Sequence, residues 1–442
     1  MNPRTGASLE KKRLNADAFE LERQLSDIAR PLNPCELEID LFCNGARVDA
    51  SCDVAGDGRY VMRTRAGLGS GLEIVIPGSI KNVWVNVPVE EDFAQVSPYR
   101  LVRERKSYYM LDDRNGLRYS VLLPEQPQWY LRQTSSGIRM HKIGVLQGTY
   151  LAIFISNSCG FWHHSPSMNC RFCTTGLNVG VNEMAAKSVE DVVEVVRAAK
   201  EESGVTFVHF NSGFHSGTEV LQVEDYVKAV KTRVGSLVGL QLLPSKDLSR
   251  YDRLMDLGVD HFSFCYEFRD PVYFAQFAPG KHKYIGQEAF LKALEYTSRK
   301  LGKGTCSGEI IAGVEPLDQT LRAIDDITSL GAFPTVCIFR PTLGSDMENW
   351  PPPRFEEMLL VFQHLYESCR SNRIPLDLAP NLEVSLVVQP GDTRYLAPRD
   401  WPSRWYEFQN SGKRTIAKPY FWWKLRPHGK YQTQSAARVA AN

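Results

Sequence analysis

The stretch YLAIFISNSCGFWHHSPSMNCRFC, residues 150–173, decides how the chain is read. It opens with the apolar run Tyr150–Ser156, which reads as a strand, and then places Cys159, Cys170 and Cys173 on the loop behind it. Outward from this point, from about 148 to 345, strand and helix patterns alternate. Further strands are expected at Val205–Phe210, Leu237–Leu243, His261–Tyr266, Thr305–Ile311 and Thr335–Arg340. Between them, Ser188 caps a helix whose apolar face is Val189, Val192, Val193 and Val196. Pro316 opens another, with Leu317, Leu321, Ile324 and Ile327 on its face. Six β/α units in about 200 residues imply a parallel sheet covered by helices. Its curved version is a partial (βα)6 barrel, with an active site at the C-terminal ends of the strands. The three cysteines then lie on the catalytic rim.

The chain has ten cysteines: Cys35, Cys43, Cys52, Cys159, Cys170, Cys173, Cys265, Cys306, Cys337 and Cys369. The N-terminus carries no apolar signal core, which points to the cytosol. Disulfides are rare there, so clustered cysteines suggest metal binding or catalysis. Thiolates are soft ligands suited to zinc or iron–sulfur clusters. Three of them leave one iron of a cubane open to a substrate or cofactor. The bland reading is a zinc knuckle with His163 or His164 as fourth ligand.

The run Cys159-x10-Cys170-x2-Cys173 resembles the radical S-adenosylmethionine (SAM) superfamily, whose usual spacing is C-x3-C-x2-C. The resemblance implies a partial TIM barrel in which Cys159, Cys170 and Cys173 hold a [4Fe–4S] cluster. The open iron would chelate the amine and carboxylate of SAM. It also implies cleavage to a 5′-deoxyadenosyl radical that abstracts hydrogen from a substrate, with electrons from a flavodoxin- or ferredoxin-type donor. Phe172 matches the aromatic beside the adenine, and Asn211-Ser212-Gly213 stands where relatives meet the SAM amine. Strand alternation places Ser263, Cys265 and Glu267 on one face, and the resemblance makes Glu267, at the end of that strand, a candidate for a further SAM contact. The segment from Gly304 to Glu315, containing Ser307 and Glu309, looks like a biotin synthase segment that approaches the adenine. Arg340, in Phe339-Arg340-Pro341, is a candidate carboxylate clamp. A biotin-synthase-like second cluster is not expected, because the second and third strands lack cysteines.

The remainder divides into an accessory region, 1–145, and an extension, 347–442, on either side of the barrel at 146–346. Residues 8–30 read as a charged amphipathic helix. Short apolar runs from Glu36 onward read as strands, with a hairpin turn at Asp113–Gly116. Cys35, Cys43 and Cys52, across two of these strands and a turn, are a weaker candidate for an auxiliary cluster. The extension should hold a helix at Arg354–Asn372, a strand at Val384–Gln389 and an aromatic tail from Trp401 to Trp423. That tail reads as packing against the barrel, or else as a lid or partner surface.

Composition bounds the rest. The 442 residues are 43% hydrophobic and 23% charged with net charge +1, which excludes wholesale disorder and gives no electrostatic case for nucleic acid. No apolar run approaches the roughly 18 residues of a membrane span. The expectation is therefore a radical SAM enzyme acting on a small molecule. Two alternatives stay open: a zinc-stabilised binding module, and SAM cleavage that transfers an aminocarboxypropyl group.

Overall fold

The computed structural model describes residues 30–54, 56, 61–63, 70–156, 158–164, 167–215 and 223–428. All but the end of the helix expected over 8–30 lies outside them. Six parallel strands form the centre: β1 (Tyr150–Phe154), β2 (Phe207–Asn211), β3 (Leu237–Gln241), β4 (His261–Glu267), β5 (Cys306–Ala312) and β6 (Phe333–Ile338). They lie in chain order, with Val145–Gln147 antiparallel on the outer edge of β1. This curled sheet is a half-barrel in a mixed α/β fold. Alternate side chains point inward, as period-2 strands demand. Phe207, His209 and Asn211 do so on β2, and Phe333, Thr335 and Cys337 on β6.

The longer helices include α1 (Pro34–Asn44), α2 (Val189–Ser203), α3 (Leu317–Ser329), α4 (Phe355–Ser371) and α5 (Trp401–Lys424). Ser188 caps α2 through a capping box with Asp191, and Gly204 ends it at φ +65°. Val192, Val193 and Val196 are fully buried on its inner face. In α3, Ile324 and Ile327 are buried, and the helix packs on α4. Before the barrel, one sheet orders Arg47–Val48, Tyr99–Glu104, Ser107–Asp112 and Leu117–Val121, and a second orders Val61–Arg63, Ser70–Ile76 and Val83–Val87. The turn at Asp113–Gly116 joins an antiparallel pair as expected.

Three expectations are corrected. The run from Glu36 is the helix α1, not a strand. Pro34 sits in its first turn, and Asn33 and Glu36 form a capping box. The helix is buried nearly all round, Glu36, Glu38 and Asp40 included, so the alternation of acids with Leu37, Ile39 and Leu41 marks no face. Cys35 and Cys43 lie about 12 Å apart along it, each thiol pushed well up by burial. Cys52 donates to the Leu101 carbonyl instead (3.4 Å). These three cysteines therefore form no cluster site. Residues 384–389 make only a single bridge, Val388 to Val336. Backbone oxygens here accept isolated bonds instead, Ser385 O from Asn86 N–H in the strand Val83–Val87 and Glu383 O from Thr149 N–H. The aromatic tail is mostly unpacked. Ser403, Tyr406 and Asn410 form the seated face of α5, while Trp401 is 74% exposed and Phe408 68%.

Candidate metal and cofactor centre

The loop after β1 carries the three thiols to the C-terminal end of the barrel, where all three line one cavity of about 400 Å³. Cys170 and Cys173 are pushed up by burial, and each feels the charge of Cys159. Backbone N–H groups already point at the sulfurs. Phe214 donates to Cys159 Sγ (3.4 Å) and Thr175 to Cys173 Sγ (3.4 Å), and such bonds stabilise thiolate ligands. Among the described residues, no three His, Cys, Asp or Glu side chains converge on a single ion position. Zinc needs four ligands around one ion, whereas a cubane takes one thiolate per iron. His163 is exposed, and His164 Nδ1 lies 3.4 Å from Tyr284 Oη. Neither histidine lines the cavity that the three thiols share.

The described part of the spacer, residues 160–164 and 167–169, is anchored at several points. Phe161 is buried, stacked on Phe214 at 4.2 Å between ring centres, and near Tyr284. Gly160 N–H reaches Phe214 O, and Gly280 N–H reaches Met168 O. The long first spacing is therefore absorbed by a turn packed against the β2 loop and the short helix Pro279–Tyr284.

Next to Cys159 lies the Asn211-Ser212-Gly213 turn. Gly213 donates to Ser156 Oγ (3.0 Å), and a Cβ there would stand 2.5 Å from Cys159 Cα. Asn211 Oδ1 and Ser212 Oγ are buried without a protein partner, although buried polar atoms ordinarily find one. Orphaned polar atoms beside three thiols on one cavity wall suit a cluster carrying a polar, amino-acid-bearing cofactor. Phe172 also lines the cavity and packs edge-on to Phe268.

Glu267 lines the cavity too, at φ +65° and beside a register slip between Cys265 and Glu267. Its carboxylate bonds to Lys281, whose ammonium also reaches Cys265 O (3.2 Å). Burial raises the carboxyl's pKa and Lys281 lowers it. Lys281 also draws down Cys170. Sequence reasoning missed this lysine, which comes from a short helix with no inward-facing pattern. Deeper in the barrel, Glu309 accepts from Gln241 and from Cys337 Sγ (3.6 Å). Burial, with the charge of Glu267 adding, pushes its carboxyl up to about 7, so it can hold or release a proton near neutrality. Ser307 sits lower, 3.3 Å from His261 Nε2. Alternation on β3 and β6 was the available signal for Gln241 and Cys337.

Two expected contacts lie elsewhere. Glu315 does not line the cavity. Its Oε2 accepts the Arg269 and Asp270 N–H groups (both 2.9 Å), tying down the turn after β4. Arg340 is buried against Asn86, donating to its backbone oxygen (2.6 Å) and Oδ1 (3.3 Å). It clamps the strand Val83–Val87 to the barrel rather than a ligand. Neither lines the thiol-bearing cavity.

No protein-family profile matches the chain. Over 225 residues it is 26% identical to the bacteriochlorophyllide c C-7(1)-hydroxylase of Chlorobaculum limnaeum. That match covers 46% of this chain and 55% of the relative, so the chain spans about half of the relative's length. Similar solved structures include methylornithine synthase (14% identity, 65% of this chain, 85% of that one, TM-score 0.39). Others are the FeFe-hydrogenase maturase HydG from Carboxydothermus hydrogenoformans (16%, 50%, 51%, 0.39) and the radical SAM methyltransferase TsrM from Kitasatospora setae with cobalamin and a [4Fe–4S] cluster (13%, 47%, 38%, 0.33). The chain is similar to radical SAM enzymes. A [4Fe–4S] cluster and SAM are the cofactors of that class.

Proposed function

We propose that the chain uses a [4Fe–4S] cluster on Cys159, Cys170 and Cys173, together with SAM, to take a hydrogen atom from a small, mostly apolar organic substrate. The observation that carries this reading is the single cavity shared by three thiols and the orphaned Asn211 and Ser212 atoms. Cluster and SAM would supply one-electron cleavage of the sulfonium and a carbon radical able to attack an unactivated C–H bond. The chain's own residues orient and enclose. Asn211 and Ser212 offer polar contacts, Gly213 lets the turn approach, and Phe172 gives a flat apolar wall. Lys281 offsets negative charge beside Cys170. Below them, Glu309 and Gln241 hold a proton and a hydrogen-bond donor over an apolar floor of Phe207, Leu237 and Phe333. The relative is named for hydroxylation of a bacteriochlorophyllide, a reaction at a C–H bond of a largely apolar molecule, and the lining here suits that substrate class. A flavodoxin- or ferredoxin-type donor and a cytosolic setting complete the proposal. The test is product analysis after anaerobic incubation with SAM and dithionite. 5′-Deoxyadenosine supports the reading, while methylthioadenosine favours aminocarboxypropyl transfer.

A further inference from the structure

Helix α5 is built the wrong way round for a helix facing water. Its seated face is Ser403, Tyr406 and Asn410, continued by the half-buried Phe421. Opposite, positions 401, 405, 408, 412, 416, 419 and 423 step by three and four along one stripe. They read Trp, Trp, Phe, Gly, Ile, Pro and Trp. The solvent-facing pole is therefore apolar. Trp405 is 49% exposed, Ile416 81% and Trp423 51%, with Tyr420 and Trp422 beside them at 52% and 63%. Half of the chain's eight tryptophans lie on this one helix. Exposed cations flank the stripe: Arg404, Lys413 and Lys418. The helix's one carboxylate, Glu407, is turned inward to Arg394 (2.7 Å). The protein as a whole is nearly neutral, so this positive charge is local.

We propose that α5 is a peripheral membrane anchor, lying flat in the headgroup layer of a bilayer containing anionic lipid. An aromatic, Trp-rich stripe bordered by Lys and Arg is the composition that partitions to such an interface. No helix of the described residues is long and apolar enough to cross a membrane, which fits lying on the surface rather than spanning. A second copy of the chain is a poorer occupant. Pairing two stripes would bring the flanking cations of both copies together with no outward carboxylate on the helix to offset them. Phe421 and Leu425 pack on Tyr150, Phe207 and Leu237 at the N-terminal ends of the barrel strands. Docking would therefore turn that end of the barrel toward the bilayer and leave the thiol-bearing rim on the far side.

The proposal is independent of the cluster chemistry and is tested on the full chain by co-sedimentation with vesicles. Phosphatidylcholine vesicles with phosphatidylglycerol should bind it, with a blue shift of tryptophan emission and release at high salt. Pure phosphatidylcholine should bind it much less. Lys413→Glu with Lys418→Glu should weaken binding by roughly tenfold or more, and so should Trp401→Ser with Trp405→Ser and Phe408→Ser. All five side chains are exposed or flank the exposed stripe, so unchanged thermal melting would verify folding. Failure to bind anionic vesicles at low salt would overturn the proposal. So would a vesicle-free dimer, seen by light scattering, that the aromatic variant dissociates, because the stripe would then cover a second copy.

Discussion

At the scale of single residues, the tightest constraint is Gly213. A side chain there meets the backbone of Cys159 rather than open cavity. Gly213→Val is therefore expected to displace the ligand loop, and reconstituted iron per chain should fall along with SAM binding. Full iron content with only SAM binding lost would mean that the turn yields. Glu267 and Lys281 form a buried pair, and removing one partner strands the other's charge. Glu267→Ala should cost about 3–5 kcal/mol in denaturant unfolding, while Glu267→Gln combined with Lys281→Met should recover most of it. Equal losses in both variants would show that charge is not the cause. Glu309 gives a pH test. Its folded value is about 7 against an ordinary 4.5, so the folded state keeps a proton that the unfolded chain has lost. The stability this contributes is fully present below 4.5 and lost as pH rises through about 7. The melting temperature of the cluster-free protein should fall less between about pH 6 and about pH 8 in Glu309→Gln than in the parent. Parallel profiles would contradict the assignment.

At the scale of elements, the spacer between the first two ligands is held by Phe161. Its ring is almost wholly buried against Phe214, Tyr284 and the Gly280 backbone. Phe161→Ala should lower stability by about 3–5 kcal/mol, read by thermal or denaturant unfolding, and should slow cluster assembly. A change within experimental error would mean that the turn holds without its aromatic plug. Elements also show where sequence patterns inform. The starts of the six barrel strands differ from expectation by at most two residues, because inward and outward side chains there face different surroundings. Helix α1 misled because it is buried on all sides, so its acid–aliphatic alternation reported no surface. Its capping box, Asn33 to Glu36, was the legible signal. The aromatic tail misled in the other direction, since aromatic content says nothing of which side of a helix is covered.

At the scale of the whole molecule, one hydrophobic cluster runs from α1 through the barrel to α4 and Tyr406, and Arg340 pins the Val83–Val87 strand to β6. The thiols were legible because their spacing follows a strand that the pattern itself located. The Asn211–Gly213 turn was legible through the family resemblance, and the inward face of β4 through strand alternation. Lys281 and Gln241 were not singled out, since each gains its meaning only from what stands opposite it across the barrel. Glu315 and Arg340 looked like ligand contacts because charge at a strand end serves both binding and chain-to-chain clamping, and only their partners distinguish the two. The central claim is that Cys159, Cys170 and Cys173 each hold one iron despite the long spacer. It is tested most directly by anaerobic reconstitution of the full chain and of the three single Cys→Ala variants with iron and sulfide. Metal content and visible absorption are then read. The account predicts about four irons per parent chain, brown colour, and loss of both in each variant. A parent that takes up colourless zinc in preference to iron, or a Cys159→Ala variant with full iron content, would contradict it.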